Sequence, residues 1–273
     1  ISIIQWNYHY LFRHKIEKTQ LWLFFPYLMS IQIIPIHLKN DIQPADDLVE
    51  LLLSSSKSTF ENGDVLVVSQ KIISKHEGKV VNIESIIPSE LSIGIASAYD
   101  KDPKLVEAIL SESERIVRME HGVIIVQTKH GFICANAGID ESNVENGYAT
   151  LLPKDSDKSA QEIQLKILQQ TGKKIAVIIS DTFGRPFRMG QTDHAIGVSG
   201  MDAILHYEGT SDTFGKLLRV TATAIVDELC SAAELVMGKT KKIPAAIIRN
   251  FEFKENTGNI RSIIRSDDED LFK

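Results

Sequence analysis

Residues 175–200, IAVIISDTFGRPFRMGQTDHAIGVSG, constrain the fold more than any other stretch of the chain. The stretch opens with five apolar residues, 175–179, and such a short β-branched run predicts a buried strand. Polarity begins abruptly at Ser180, and four glycines and two arginines follow. In α/β proteins, a loop at the carboxyl end of a buried strand commonly carries ligand-binding groups. The stretch therefore predicts a ligand-binding loop after a core strand. The plain alternative is an ordinary surface loop.

Polar side chains also follow two other predicted strands. The apolar run 65–68 leads to Lys71, and a predicted β-hairpin at 122–136 runs into Asp140. Asp181 follows the strand at 175–179 in the same way. If the strands before Asp140 and Asp181 belong to one sheet, the two carboxylates meet at one edge of that sheet. The sequence therefore predicts that separate segments build a common polar site.

The remaining pattern alternates strands and helices. Strands are predicted at 31–36 and 244–248, where apolar residues cluster next to proline. Acidic first turns, apolar residues at helical spacing and a glycine at the C-terminal end of one segment indicate helices. The predicted helices are 44–53, 103–117, 155–170 and 217–237.

Residues 1–28 differ in character from the rest of the chain. They hold both tryptophans and lack helical or alternating periodicity. We interpret them as an extension outside the fold, and we expect residues 29–273 to form the working domain, with room for two lobes. The alternative for residues 1–28 is a tail that binds a partner or a membrane surface.

Composition excludes several classes of protein. The chain has 273 residues and a net charge of −6 without a basic tract, which argues against nucleic acid as a partner. The apolar run at 21–25 is far shorter than the ~20 residues that cross a bilayer, so no membrane partner is expected. Cys134 and Cys230 form no disulfide framework, and Cys134 reads as a small packed side chain. We therefore expect a cytoplasmic protein.

The polar clusters favour metal and anion chemistry. The carboxylates of Asp140 and Asp181 and the hydroxyl of Thr182 are hard oxygen ligands, which Mg²⁺ or Mn²⁺ takes together with substrate phosphates. Arg185 and Arg188 suit bidentate binding of phosphate or carboxylate. The plain alternative is that each aspartate only caps a turn.

Several common catalytic motifs are missing from the sequence. It contains no G-x-x-x-x-G-K-[ST] phosphate loop, no G-x-G-x-x-G after the first strand and no G-x-S-x-G elbow. The eight histidines show no zinc spacing. His194 lies in the predicted ligand loop, where a surface position is the more common role. A standard dinucleotide fold and an α/β-hydrolase are therefore not indicated.

Three motifs resemble one known family. They are SDTFGRPFRMGQTDHAIGVSG, NAGIDESN and VVSQKIISKHEG, and LVMGK and IPAAIIR add to them. In this order, from about residue 29 to the C-terminus, they resemble the coenzyme F-420:L-glutamate ligase family. The resemblance implies a GTP-dependent enzyme that attaches γ-linked glutamate to the deazaflavin precursor of coenzyme F-420. It also implies an α+β fold with mixed sheets and packed helices, which forms an intertwined homodimer.

The resemblance also implies roles for individual residues. It implies two divalent cations, Mg²⁺ or Mn²⁺, with Asp140, Asp181 and Thr182 as ligands. Arg185 and Arg188 belong to the signature loop of the family, and we assign them to the anionic substrate. The implied GTP contacts are Lys39, Asn40, Asp41, Ile42, Gln70, Lys71, Lys75, Asn143, Met237, Gly238, Lys239 and Thr240.

Two positions depart from the family pattern. Phe187 stands where many relatives have Trp, which keeps an aromatic surface. Lys239 stands where some relatives have Glu near the second metal, and an ammonium group cannot ligate Mg²⁺. That ligand would have to come from the backbone or from water, so the sequence supports the second metal site less well than the first.

The implied reaction passes through an acyl phosphate. A carboxylate of the acceptor attacks the γ-phosphate of GTP, and the amine of L-glutamate then displaces phosphate to form the amide, which leaves GDP and phosphate. Two alternatives stay open from the residues themselves. One is a metal-dependent nucleotide phosphohydrolase that uses the same aspartate pair, and the other is a non-catalytic module that binds a nucleotide or a deazaflavin.

Overall fold

The computed structural model describes residues 30–266 and 268–270 of an α+β chain. The predicted extension at 1–28 lies outside the described residues. Within them, the strands are β1 Gln32–Ile36, β2 Val65–Ser69, β3 Val80–Asn82, β4 Ser113–Glu120, β5 Val123–Thr128, β6 Ile133–Ala135, β7 Tyr148–Thr150, β8 Ala176–Arg185, β9 Arg188–Ser199, β10 Leu205–His206, β11 Ala222–Thr223 and β12 Ala245–Arg249. The α-helices there are α1 Leu48–Ser55, α2 Gln70–His76, α3 Glu90–Tyr99, α4 Pro103–Ser111, α5 Ser156–Thr171 and α6 Ile225–Met237.

The central layer is a five-stranded mixed sheet with the order β1-β12-β2-β8-β9. β2 and β8 are parallel, and the other neighbouring pairs are antiparallel. The apolar residues of β2 and of the first half of β8 are fully buried, as their continuous apolar runs predict. Helices α5 and α6 pack against this sheet. In the described part of the chain, no helix has the length and apolar character needed to cross a membrane.

The strand directions bring four segments to one edge of this sheet. Ile36, the last residue of β1, pairs with Ala245, the first residue of β12, and Ala245 also pairs with Val68 near the end of β2. Ser69 at the end of β2 pairs with Ser180 of β8. The segments that follow β1, β2 and the buried half of β8 therefore meet the segment that precedes β12. This edge is where the predicted polar clusters converge.

A smaller layer lies beside the central sheet. It contains α3, α4 and the three-stranded antiparallel sheet β4-β5-β6, and it has its own cluster of buried apolar side chains. That cluster includes Val106 and Ile109 of α4 and Ile124 and Val126 of β5. The predicted hairpin at 122–136 is confirmed as β5 and β6. Helix α5 also agrees with its prediction, because Asp155 caps its first turn and Gly172 ends it in the left-handed conformation.

The helix predicted at 44–53 begins only at Leu48, after its cap Asp47, and two further helix predictions were wrong at one end. The helix predicted at 103–117 ends at Ser111, and residues 113–120 form β4, where Ile116 pairs with Val126 of β5. The helix predicted at 217–237 begins only at Ile225, because residues 222–223 pair as β11 with β10. In both cases β-branched residues next to the helix contribute to a strand, and cross-strand pairing overrides their fit to the helical period.

The predicted loop after residue 179 is a β-hairpin, which corrects the prediction from the sequence. β8 continues to Arg185, and β9 returns antiparallel from Arg188. Pro186 and Phe187 form the turn, and the positive φ of Phe187 after a proline is the pattern of a type II turn. The four glycines hid the strand alternation, so the sequence read as a loop.

Both cysteines are buried free thiols. Burial, with a smaller contribution from the negative charge of Asp181, raises the pKa of Cys134 to about 12. Burial also raises the pKa of Cys230 well above its ordinary value. At pH 8 the native protein is therefore expected not to react with a thiol reagent such as Ellman's reagent, because the thiolate is the reactive form. Protein in guanidinium should titrate two thiols per chain, and rapid labelling of native protein would contradict the prediction.

Candidate metal and nucleotide site

A cavity of about 780 Å³ opens at the sheet edge where the four segments meet. It contains the three residues predicted as metal ligands and all of the residues predicted to contact GTP. These lining residues are Lys39, Asn40, Asp41, Ile42, Gln70, Lys71, Lys75, Asp140, Asn143, Asp181, Thr182, Met237, Gly238, Lys239 and Thr240. The tertiary structure thus brings fifteen predicted residues to one place, although they span two hundred positions of the sequence.

Asp140 reaches the cavity from a different sheet than Asp181, contrary to the expectation of one shared sheet. It follows β6 and forms an isolated bridge with Thr150. Its Oδ2 lies 2.7 Å from Lys71 Nζ, and its Oδ1 accepts a hydrogen bond of 2.7 Å from the Ser142 amide. Burial alone would raise the pKa of Asp140, but the hydrogen bonds from Lys71 and Ser142 lower it below its usual range. Asp140 is therefore ionised in the cavity.

Asp181 lies in a more negative environment. Burial raises its pKa to about 7, and the nearby carboxylates of Asp193 and Asp140 add to this rise. A hydrogen bond from the Thr182 amide, at 2.8 Å, and the charge of Lys239 oppose it. A carboxylate held against two other carboxylates is stabilised by a cation bound between them.

The residues near Asp140 and Asp181 fit a divalent cation. Asn136 also lines the cavity, and its buried Oδ1 has no hydrogen-bond partner among the described residues. An amide oxygen and two carboxylates are donors of the kind that Mg²⁺ and Mn²⁺ accept. Within residues 30–266 and 268–270, no group of three or more His, Cys, Asp or Glu is arranged to hold a metal ion. A cation here would therefore complete its coordination with amide, phosphate or water oxygens.

Two lysines connect the segments that form the walls of the cavity. Lys75, which is 8% exposed, donates to both oxygens of Asp41 at 2.8 and 2.6 Å and to the carbonyl oxygen of Asn143 at 2.8 Å. Lys71 donates to the hydroxyl of Ser142 at 2.7 Å in addition to its contact with Asp140. Both ammonium groups thus position the loops that carry the predicted GTP contacts. Their contact with phosphate stays a prediction.

Sequence reasoning missed Asp193 and Glu234, which also line the cavity. Asp193 is 5% exposed and accepts hydrogen bonds from Thr182 Oγ1 at 2.7 Å and from Ser180 Oγ at 3.2 Å. It is the cross-strand partner of Thr182. The sequence signal for Asp193 was its place in the QTDHAIG segment, but its pairing is visible only once that segment is recognised as a strand.

Arg185 and Arg188 are not among the residues that line the cavity. They lie at the tip of the β8–β9 hairpin, where Arg185 donates to the carbonyl oxygen of Met189 at 3.0 Å and Arg188 is exposed. The structure therefore does not bring them to the carboxylates, and their role with an anionic substrate stays a prediction. His194 also points elsewhere, since its Nδ1 lies 3.3 Å from Asp227 of α6.

Comparison with known proteins identifies the family of this chain. The family model of the F420-0:gamma-glutamyl ligases matches residues 38–250. The chain is 42% identical to the coenzyme F420:L-glutamate ligase of Methanothermobacter thermautotrophicus over 251 residues, which are 90% of this chain and 100% of the relative. It is 46% identical to the ligase of the same name from Methanocaldococcus jannaschii, over 78% of this chain and 86% of the relative. This chain belongs to the F420-0:gamma-glutamyl ligase family and is therefore an enzyme, a ligase.

Proposed function

We propose that this chain is a GTP-dependent ligase that adds L-glutamate, through a γ-linked amide, to the deazaflavin precursor of coenzyme F-420. One observation carries the proposal. In a chain that matches the ligase family over residues 38–250, the two aspartates, the lysine-bearing helix α2 and the loop after α6 line one cavity. Relatives that match most of this chain carry the name coenzyme F420:L-glutamate ligase, which supports the substrates.

The cavity wall would hold a nucleoside triphosphate by charge. Lys71 and Lys75 supply ammonium groups at the start and end of α2, and a divalent cation bound at Asp140 and Asp181 would neutralise phosphate charge. The 39–42 loop also lines the cavity and would contact a base or ribose. Arg185 and Arg188 are proposed to meet the anionic acceptor at the rim.

The proposed reaction has two steps. The acceptor carboxylate attacks the γ-phosphorus of GTP, so that a carboxyl–phosphate bond forms and the bond to GDP breaks. The amine of L-glutamate then attacks the acyl carbon, the amide forms, and phosphate leaves. Both steps bring anions together, which repel each other strongly in a cavity of low dielectric constant. The lysines of the cavity would lower that repulsion, since their charges are fixed before the substrates meet.

A single incubation separates this proposal from its two alternatives. The protein is mixed with GTP, Mn²⁺, L-glutamate and the deazaflavin acceptor, and products are read by mass spectrometry. A ligase adds glutamate to the acceptor and releases GDP over many turnovers only when both other substrates are present. GDP release without acceptor and glutamate would favour the phosphohydrolase, and tight binding without turnover would favour a non-catalytic module.

We propose further that residues 29–273 form the working ligase unit and that it acts as a homodimer. Exposed apolar side chains on the β8–β9 hairpin and on the segment before α6 support a second copy as partner, with Met189 95%, Phe214 95% and Val220 93% exposed. Sedimentation should give twice the chain mass.

Deletion of residues 1–28 should leave glutamylation intact, and an inactive but folded deletion would refute the domain boundary.

A further inference from the structure

Lys239 lies two residues beyond the end of α6, after Gly238, and its ammonium group extends into the metal end of the cavity. Its Nζ lies 2.5 Å from Thr182 Oγ1, 3.0 Å from Asp193 Oδ1 and 3.3 Å from Glu234 Oε1. The carboxylate of Asp193 is almost fully buried, so its charge needs a partner. A hydroxyl and two carboxylates thus surround one positively charged nitrogen.

These three oxygen groups are the kind of ligand set that a small divalent cation takes. A Mg²⁺ ion bound to them would lie about 2.0–2.1 Å from each oxygen. The ammonium nitrogen already occupies the position between these oxygens. The lysine also cannot act as a ligand itself, since a charged ammonium group has no free electron pair. The residues around Lys239 therefore do not fit a second divalent cation, whereas those around Asp140 and Asp181 fit a first.

We propose that the ammonium group of Lys239 takes the place of a second divalent cation, so that this chain binds one divalent cation, at Asp140 and Asp181, and supplies the second positive charge itself. The inference rests on the proposed function, because it concerns the cation centre of that ligase. A tethered ammonium group carries one positive charge where a metal ion carries two, and it stays in place when metal is scarce. The centre therefore needs only one metal ion per chain to be complete.

Counting bound Mn²⁺ tests the inference without substrates. The full-length chain is titrated with Mn²⁺, and the free ion is measured by its electron paramagnetic resonance signal. The wild-type chain should bind one Mn²⁺. The variant Lys239→Glu removes the ammonium group and adds a carboxylate beside Asp193 and Glu234, so it should bind two. Lys242→Glu is the matched control, since it makes the same change of charge at another residue of the cavity wall, and it should still bind one.

Other Mn²⁺ counts on the folded chains contradict the inference. Two Mn²⁺ ions, or none, on the wild-type chain would overturn it. So would a Lys239→Glu variant that keeps one Mn²⁺ and an unchanged circular dichroism spectrum, or a Lys242→Glu variant that gains a second ion. The circular dichroism spectrum of each variant shows that it is folded, so that a gained metal ion is not assigned to unfolding. A different result separates the two proposals. If the wild-type chain binds one Mn²⁺ and Lys239→Glu binds two, but the wild-type chain does not glutamylate the acceptor, the proposed function is refuted and this inference stands.

Discussion

Replacement of Asp181 by Asn is expected to lower kcat/KM for glutamylation by about three orders of magnitude, or ~4 kcal/mol of transition-state stabilisation. The substitution keeps the shape of the side chain but removes the negative charge that would hold a divalent cation between Asp181 and Asp140. Burial and neighbouring carboxylates already disfavour the charge of Asp181, so the cation is the group expected to stabilise it. Steady-state assays with Mg²⁺, together with Mn²⁺ titration of the same variant, measure both effects.

Asp100→Asn is the matched control for that experiment. Asp100 ends α3 in the left-handed conformation and is exposed, and asparagine adopts this conformation readily. The control should keep wild-type kcat/KM and Mn²⁺ affinity, because it makes the same chemical change away from the cavity. Near-normal glutamylation by Asp181→Asn with Mg²⁺ would refute the proposed metal role of Asp181.

Replacement of Arg249 by Met is expected to lower the free energy of unfolding by about 3–5 kcal/mol, because it leaves a buried charge without its partner. Arg249 donates from Nε and Nη2 to the two oxygens of Asp64, at 2.9 and 2.8 Å. The side chain of Asp64 is 1% exposed. This pair joins β12 to the turn that precedes β2, and both strands lie in the centre of the sheet. Urea denaturation followed by circular dichroism measures the loss.

A second substitution distinguishes the loss of charge pairing from a loss of packing. Asp64→Asn in the Arg249→Met background removes the buried charge, so the double variant should be less destabilised than the sum of the two single variants. Arg261→Met, an exposed arginine, serves as control and should stay within about 0.5 kcal/mol of wild type. Additive losses in the double variant would show that Asp64 and Arg249 do not interact in solution.

Local pattern was sufficient for the central strands, one complete helix and the family. The apolar runs at 65–68 and 175–179 correspond to β2 and the buried half of β8, because a strand covered on both faces tolerates a short, β-branched apolar run. The predicted helix at 155–170 is confirmed as α5, because its cap and its terminal glycine are local signals. The family resemblance, which rested on three motifs, is confirmed by the match over residues 38–250.

Tertiary structure alone decided how those segments combine into a site. The β8–β9 hairpin, the position of Asp193 beside Thr182 and the contact of Lys239 with both depend on cross-strand pairing and on the packing of α6. The same pairing carries Arg185 and Arg188 to the hairpin tip and away from the carboxylates. A strand or cap is encoded by neighbours within a few residues. The approach of side chains far apart in the sequence depends on the register and direction of the whole sheet, which no local pattern contains.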